Sequence, residues 1–347
     1  DWNCNCNCIS GLPRESGCTT MKYVIGIDHG NGNMKTENVV FPCGFADHDI
    51  KPDAMYAKDI LEYKGKYYTL SRQRISYQTD KTTNDNAVIL TLFAVAKEMV
   101  ARAALLKNDF DMKRDFGGFV GKDVILSVGL PPAHFEKQAK PFKEYFIKHA
   151  EHGINFKYND KPFHFYVKDV CVLPQDYAAA IVFKNELINE NATCYCIDIG
   201  DGTTDMVGLT DGNPEKETML SREFGMSKLR STIIESINND YGLPLTDDYV
   251  DNYLSGKHIL LPPEDADAIR ERISKITEDF TNELINTLRK KVATFKIYPV
   301  IFSGGGSIAL KPYLEASGVF SFTYYIDDIR ANAIAYQQIA KMQFGIE

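Results

Sequence analysis

The sequence predicts an α/β protein made of two duplicated lobes around a cleft, on the basis of three observations. A strand-like run followed by the pattern Ile-Asp-x-Gly-x-Gly occurs twice, with Asp28 and Asp198 separated by 170 positions (198 − 28). A third strand-like run, within residues 298–310, ends in three consecutive glycines. The chain has 347 residues, enough for a large core divided between two lobes.

The first copy of the pattern is YVIGIDHGNGNMK, residues 23–35. Its β-branched residues Val24, Ile25 and Ile27 predict a buried strand that enters a tight turn at two glycines, where the backbone can approach a phosphate. A carboxylate at the mouth of that turn, Asp28, would by itself repel a phosphate. The acid therefore indicates a further participant in the site.

The second copy, CYCIDIGDGTTD in residues 194–205, suggests what that participant is. Two facing turns can hold a polyphosphate through backbone N–H groups. Asp28 and Asp198 would then bind a magnesium ion through its waters, since Mg²⁺ commonly takes one or two carboxylates plus substrate phosphates. A single turn of this kind is commonly just a hairpin bend, but its repetition favours a site. The chain contains neither GxxxxGK[ST] nor a complete GxGxxG.

The third glycine cluster, YPVIFSGGGSIAL in residues 298–310, predicts a strand, then a turn, then a helix from Ser307. Three adjacent glycines are costly in folding entropy, so a ligand is expected to approach this backbone closely. A flat adenine or a ribose is a suitable candidate. The alternative is a plain strand-to-helix turn, for which one glycine would suffice.

The composition is that of an ordinary globular protein and excludes some classes. Hydrophobic residues make up 44% and charged residues 25%. The net charge of −8 argues against direct nucleic-acid binding by the whole surface and leaves a local basic patch as the alternative. The least polar long segment, residues 87–106, is free of charge only as far as Ala96. It is therefore too short to span a bilayer and is predicted to be a buried helix, with Asp85 or Asn86 as its cap.

Four of the eight cysteines fall within residues 1–20. This segment is interpreted as a non-native or disordered extension preceding a natural start at Met21. The remaining cysteines are interpreted as small buried hydrophobic residues of a protein in a reducing compartment: Cys43, Cys171, Cys194 and Cys196.

With these motifs in this order, the chain resembles the actin-like ATPases, the superfamily of actin, heat-shock chaperones and sugar kinases. The segments IDHGNGNMK, IDIGDGTTD and FSGGGS resemble its first phosphate loop, second phosphate loop and adenosine loop. The resemblance implies an actin-like ATPase fold, with two duplicated RNase H-like lobes around a nucleotide cleft and with subdomain insertions. It covers residues 21–347.

The helices that link the lobes in this family can also be matched. Residues 172–181, VLPQDYAAAI, resemble the first connecting helix, which implies that Gln175 orients the attacking water. Residues 330–340 resemble the second, where Ala335 stands in place of the usual small residue, often glycine. Residues 223–229 resemble the nucleoside-lining helix start that contains Lys228.

The resemblance implies a complete set of site residues. The catalytic residues would be Gln175, Asp198 and Asp28, and the two aspartates would also hold the metal. For Lys35, an exposed lysine on a strand is an equally good interpretation. The nucleotide would contact Gly30, Asn31, Gly32, Asn33, Lys35, Gly200, Asp201, Gly202, Thr203, Lys228, Gly304, Gly305, Gly306 and Ile308.

The implied lobes are residues 21–185 plus 331–347 for lobe I and residues 186–330 for lobe II. Lobe II includes a helix-rich insertion at about residues 225–295. Within it, DADAIRERISKITEDFTNELINTLRKKV predicts one long amphipathic helix.

Within the superfamily, the compact length and the segment TDKTTNDNAVILTLFAVAKE resemble plasmid-segregation actins of the ParM type. This implies filaments that form on binding ATP with Mg²⁺ (GTP being possible), and that disassemble after hydrolysis stimulated by the filament. It also implies a bacterial, cytoplasmic protein of a kind that plasmids encode, with no membrane partner. DNA contact would be indirect, through a ParR-type adaptor on a centromere-like site. The alternatives are a sugar or other small-molecule kinase of the same superfamily and a non-polymerising ATP-binding scaffold.

Overall fold

The computed structural model describes residues 22–346, apart from residue 56, residues 76, 77 and 79, and residues 107–118. The predicted extension at residues 1–20 lies outside the described residues. The described chain forms two β-sheets, one with strands drawn from residues 22–174 and one with strands from residues 193–325, with helices packed on both.

The larger sheet has nine strands in the order β3-β2-β1-β7-β9-β8-β5-β6-β4. Strands β1, β7 and β9 run parallel. Residues 24–29 of β1 and 124–130 of β7 are buried, as expected of strands covered on both faces, whereas β9 mixes buried and exposed residues along its length. The strands are β1 (Lys22–His29), β2 (Asn33–Lys35), β3 (Val40–Pro42), β4 (Phe45–His48), β5 (Ile60–Tyr63), β6 (Lys66–Leu70), β7 (Lys122–Leu130), β8 (Ile154–Tyr158) and β9 (Lys161–Pro174).

The five strands of the smaller sheet repeat the arrangement of five neighbouring strands of the larger sheet. Its order, β12-β11-β10-β13-β14, matches β3-β2-β1-β7-β9, and in both sheets an antiparallel three-strand meander is followed by two parallel strands. This confirms the predicted duplication. The strands are β10 (Thr193–Ile199), β11 (Thr204–Thr210), β12 (Asn213–Arg222), β13 (Pro299–Ser303) and β14 (Phe322–Tyr325).

The helices are α1 (Asn86–Leu106), α2 (Pro132–His149), α3 (Tyr177–Glu190), α4 (Met226–Tyr241), α5 (Asp247–Leu254), α6 (Ala266–Arg289), α7 (Gly305–Ala316) and α8 (Ala331–Phe344). The first connecting helix, matched to residues 172–181, begins only at Tyr177, because residues 172–174 complete the long strand β9. The buried helix predicted at residues 87–106 is α1, but it is buried throughout only over residues 87–96, and near its end Leu105 is 74% exposed. In the described part of the chain, no helix is long and apolar enough to cross a membrane.

The amphipathic segment predicted in the insertion is α6. Its buried side chains recur every three or four residues and pack into the core of the smaller sheet: Ile269, Ile273, Ile276, Phe280, Leu284 and Leu288. The four cysteines of the described chain are buried, as predicted.

The helices α3 and α8 connect the two halves. Ala179 and Ala180 of α3 pack with strands of the smaller sheet, while Ala335 and Tyr336 of α8 pack with strands of the larger one. The close approach of α8 to β1 requires a glycine at position 26, because a Cβ atom on Gly26 would lie 2.0 Å from the carbonyl oxygen of Ala333 in α8. The last helix thus returns to the first sheet, as predicted.

Candidate active site

A cavity of about 440 Å³ lies where the carboxyl ends of the parallel strands of the two sheets face each other. This is the usual position of a ligand in an α/β fold. Its lining includes most of the predicted site residues: Asp28, Gly30, Asn31, Gly32, Asn33, Lys35, Gln175, Asp198, Gly200, Asp201, Thr203, Gly304, Gly305, Gly306 and Ile308. Gly202 and Lys228 are not among the lining residues.

The first turn presents an ion pair to the cavity. Asp28 and Lys35 lie opposite each other in the β1–β2 hairpin, and the lysine Nζ is 2.9 Å from Oδ2 of the aspartate. The Lys35 side chain is 19% exposed, so it faces the cleft rather than the outer surface and the exposed-lysine interpretation is wrong. The second oxygen of Asp28 accepts a bond of 3.3 Å from the Gln175 side-chain amide.

Gln175 is held by a strained turn between β9 and α3. The following residue, Asp176, has φ 63° and ψ −49°, and the amide of Tyr177 donates to the carbonyl of Gln175 at 2.5 Å, which closes a tight γ-turn. Asn332 at the start of α8 stabilises this turn by accepting from the Asp176 amide at 3.0 Å. Strain of this kind is typical of functional sites, since only a rigid surrounding structure maintains it.

The second hairpin differs from the first in its charge. Asp198 lies opposite Asp205, in the same register as Asp28 and Lys35, so two carboxylates face each other where the first hairpin has a salt bridge. Asp205 accepts from the Thr203 hydroxyl at 3.0 Å through one oxygen. Its other oxygen and Oδ1 of Asp198 are buried and receive no hydrogen bond from the described residues.

This crowding of acids perturbs their protonation. The pKa of Asp205 is raised from 3.8 to about 7, chiefly by burial; the charge of Asp198 adds to the shift, and hydrogen bonds to Asp205 oppose it. Burial also raises the pKa of Asp198. Asp176 lies close enough to Asp198 to share a proton, and burial together with that neighbouring charge raises the pKa of Asp176 well above its usual value.

The donors fit a divalent cation in part. Asp198 has an unpartnered buried oxygen, as a metal ligand needs, whereas both oxygens of Asp28 are occupied by Lys35 and Gln175. Within the described residues, no group of three or more His, Cys, Asp or Glu side chains could hold a metal ion. A magnesium ion here would therefore draw most of its ligands from water and phosphate, which suits its preferences.

The tips of the two turns contact each other across the cavity. A Cβ atom on Gly32 would lie 2.7 Å from Cβ of Asp201, and one on Gly202 would lie 3.0 Å from Nδ2 of Asn31. Gly202 therefore supports the contact between the turns rather than lining the cavity.

Asp201 does not face the cavity as a free acceptor. It pairs with Arg230, a buried residue of α4, and with Arg74, whose Nη1 is 3.0 Å from Oδ2 of the aspartate. Arg74 comes shortly after β6, a strand of the larger sheet, whereas Asp201 follows β10 of the smaller sheet. This ion pair therefore links the two halves across the cleft. Arg230 also pairs with Asp251 at 3.1 Å, so its charge is well compensated.

The three consecutive glycines have three different surroundings. Gly304 has φ +83°, and a Cβ atom there would lie 1.9 Å from Oδ1 of Asp198. A Cβ atom on Gly306 would lie 2.5 Å from Cγ2 of Ile199, so packing excludes a side chain. A Cβ atom on Gly305 would have no neighbouring atom within 4 Å, so this glycine leaves open space against the cavity. The plain-turn alternative accounts for the first and third glycines but not for the second.

Lys228, like Gly202, is a predicted residue that the structure does not bring into the cavity lining. Its Nζ lies 3.2 Å from Glu283 and 3.9 Å from the centre of the Phe224 ring, on the outer side of α4. The ends of α4 and α7 contribute apolar lining instead, with Met226, Ile308 and Ala309.

Several functional groups were missed from the sequence. Asp205 had a usable signal, because it follows Asp198 by seven positions just as Lys35 follows Asp28. Arg74, Lys81 and Arg230 had none, because each reaches the cavity from an element distant in sequence.

Comparisons with known proteins agree with this geometry. A family model for the C-terminal region of MreB-like archaeal actin homologues matches residues 196–316. The crystal structure of Ta0583, an archaeal actin homologue, has 19% identity and a TM-score of 0.70 over 92% of this chain and 99% of that one. Its complex with ADP has 19% identity and a TM-score of 0.69 over the same shares of 92% and 99%.

A 15-stranded ParM filament from Clostridium botulinum has 18% identity and a TM-score of 0.68, over 93% of this chain and 99% of that chain. No curated protein sequence matches significantly. The chain therefore has the fold of the actin-like ATPases, and the resemblance seen in its glycine-rich turns is confirmed at the level of the fold.

Proposed function

We propose that this protein is an ATPase that assembles into filaments when it binds ATP and disassembles after hydrolysis. The observation that carries the proposal is the pair of matching hairpins that face each other across one cavity, one with a salt bridge and the other with two facing carboxyl groups that have no ion-pair partner among the described residues. A nucleotide with its magnesium ion supplies the missing positive charge and a group to fill the space at Gly305.

The nucleotide would lie along the length of the cavity. Its phosphates would meet the backbone N–H groups of the two turns, with Lys35 beside Asp28 on the first of them. Its nucleoside would lie against the start of α7, where Gly305 leaves room and Ile308 and Met226 supply apolar surface. These contacts suit ATP or ADP and do not exclude GTP.

The hydrolysis step would depend on Gln175. The γ-turn at Asp176 fixes its backbone, and its side-chain amide reaches the Asp28 carboxylate, so it can orient a water against the terminal phosphate. When bound, magnesium supplies charge neutralisation at the phosphates, with Asp198 presenting an unpartnered oxygen to its shell. Asp28 would hold Lys35 and Gln175 in place and contact the ion through water.

Self-association is proposed from the fold and its neighbours. The ParM structure from Clostridium botulinum is a filament, and so are the Alp12 and AMPPNP-bound AlfA structures, with 15% identity each and TM-scores of 0.62 and 0.55. By the ParM resemblance, the filament would move plasmid DNA in a bacterial cytoplasm. It would do so through a ParR-type adaptor on a centromere-like site, in keeping with the net charge of −8.

The test is sedimentation of the full chain with Mg-ATP, Mg-ADP or no nucleotide, with nucleotide binding and ADP formation measured on the same samples. The proposal predicts a pellet with Mg-ATP above a threshold protein concentration and little with Mg-ADP. ADP formation that needs an added sugar would instead identify a kinase. Nucleotide binding without a pellet at any concentration would indicate a non-polymerising scaffold.

A further inference from the structure

The basic group of the cavity that the site description leaves unexplained is Lys81. Its side chain lines the cavity, and its Nζ donates to the carbonyl oxygen of His29 at 2.5 Å. Among the described residues, no carboxylate lies within 4.0 Å of this ammonium group. Asp28 and Asp205 are near enough to attract its charge, without contacting it.

The other strong cations of the cavity lining are all paired. Lys35 contacts Asp28, Arg74 contacts Asp201, and Arg230 contacts three aspartates. An ammonium group withdrawn from bulk water and without an anion is costly, because a carbonyl oxygen replaces only part of its hydration. The position of Lys81 is therefore that of a binding group whose anion comes from outside the chain.

The local structure presents this lysine rigidly. Asp80 accepts from both the amide and the hydroxyl of Thr82, at 2.9 and 2.7 Å, and its carbonyl accepts from the Thr83 hydroxyl at 3.1 Å. The turn around Lys81 is thereby fixed before the chain enters α1. Through His29 the same lysine is tied to the last residue of β1, next to the first turn.

The position of Lys81 along the cavity indicates which part of a ligand it meets. Gly305 and Ile308 belong to the end of the smaller sheet, where the nucleoside is proposed to lie. Lys81 contacts the end of β1 in the larger sheet, next to the first phosphate turn. A triphosphate extended from Gly305 across both turns would bring its last phosphate to this side.

We propose that Lys81 binds the terminal phosphate of the bound nucleoside triphosphate, and that it thereby makes the cleft discriminate between triphosphate and diphosphate. This inference rests on the proposed nucleotide site. Loss of the terminal phosphate leaves the ammonium group with the His29 carbonyl as its sole described partner, so the cleft favours ATP over ADP. A charge-assisted hydrogen bond of this kind corresponds to roughly 10- to 100-fold in affinity.

The test compares Lys81→Gln, Lys81→Arg and the unchanged protein in their affinity for a non-hydrolysable ATP analogue and for ADP, both with Mg²⁺. Lys81→Gln keeps a donor for the His29 carbonyl and should lose roughly 10- to 100-fold for the analogue while ADP affinity changes by less than about threefold. Lys81→Arg should keep most of the discrimination. Lys140→Gln, an exposed lysine of α2, is the matched control and should change neither affinity.

A second measurement uses the unaltered chain, so it does not depend on whether a variant folds. The ATP analogue should protect Lys81 from an amine-reactive label several-fold more than ADP does. Equal losses of analogue and ADP affinity, or equal protection by both, would overturn the inference and leave the nucleotide site standing. Failure of the unchanged protein to bind either nucleotide would instead remove the proposed function, and this inference with it.

Discussion

Asp205 occupies in the second hairpin the position that Lys35 occupies in the first. Each lies directly opposite the aspartate next to the end of the preceding strand, so the facing pair in the first hairpin is neutral and the pair in the second carries up to two negative charges. A duplicated unit has thus acquired opposite charges on its two sides. The acidic side is where a cation is needed, and this asymmetry leads to the first prediction.

Replacing Asp205 with Asn should weaken the coupling between magnesium and nucleotide. The substitution keeps the shape of the side chain but removes one of the two facing charges, so the ratio of ADP affinity with Mg²⁺ to that with EDTA should fall roughly tenfold or more. Calorimetric titration under both conditions measures it. Asp211→Asn, at the exposed far end of the same hairpin, is the control. An unchanged ratio in Asp205→Asn would contradict the assignment of this side to the cation.

The same acid should make the nucleotide-free protein less stable as the pH rises from about 4 to about 7. The pKa of Asp205 is about 7 in the folded chain against an ordinary 3.8, so the folded state binds the extra proton in this interval. Stability is then lost with rising pH, at up to ~1.4 kcal/mol per pH unit for one proton.

Buried His29 acts in the opposite direction. Burial lowers its pKa from 6.5 to about 3, so the unfolded state binds its proton in that interval and stability rises with pH. The difference between the unchanged protein and Asp205→Asn cancels this contribution. Urea unfolding in EDTA should show Asp205→Asn gaining relative stability from pH 5 to pH 8. A constant difference across that range would show that Asp205 does not titrate there.

Two adjacent glycines should respond differently to alanine. Gly305→Ala adds a methyl group in open space, so the free energy of unfolding should change by less than about 1 kcal/mol. Nucleotide affinity should fall tenfold or more if the nucleoside lies there. Gly306→Ala would crowd Ile199 and Met226 and should lower the melting temperature. Thermal unfolding and nucleotide titration of both variants provide the comparison. Unimpaired binding by Gly305→Ala would exclude this end of the cavity as the nucleoside site.

The ion pair between Arg74 and Asp201 should slow nucleotide release. It joins the two halves at 3.0 Å, and its side chains are only 29% and 18% exposed, so water screens it little. Arg74→Gln should raise the dissociation rate of a fluorescent ADP several-fold in stopped-flow measurements. Arg72→Gln removes a neighbouring link to Asp248 whose side chains are 85% and 70% exposed, and it should have little effect. Equal effects of both substitutions on the ADP dissociation rate would contradict a specific role of the Arg74–Asp201 ion pair in nucleotide release.

Local sequence patterns were sufficient to predict the main strands and helices and the glycine-rich turns. Alternation of apolar runs with glycines located the strands before Asp28 and Asp198, and the long apolar and amphipathic segments became α1 and α6. The repeat of one pattern at half-chain spacing predicted the repeated strand order, because each copy carries its own turn and its own partner strands.

The remaining features depend on contacts that no local pattern records. Lys228 points away from the cavity because Glu283 of α6 and the Phe224 ring hold it on the outer side of its helix. Lys81 and Arg74 enter the cavity from the connection between β6 and α1, whose path is set by tertiary packing. The γ-turn at Asp176 likewise depends on Asn332, 156 positions further along the chain.

If ATP drives assembly and hydrolysis reverses it, light scattering and phosphate release should be linked when both are followed after Mg-ATP is added to the full chain. We expect the scattering to rise above a threshold protein concentration and to decay as phosphate appears. With a non-hydrolysable ATP analogue the scattering should rise and then stay high. Phosphate release at a constant rate per molecule, with scattering flat across micromolar protein, would contradict it.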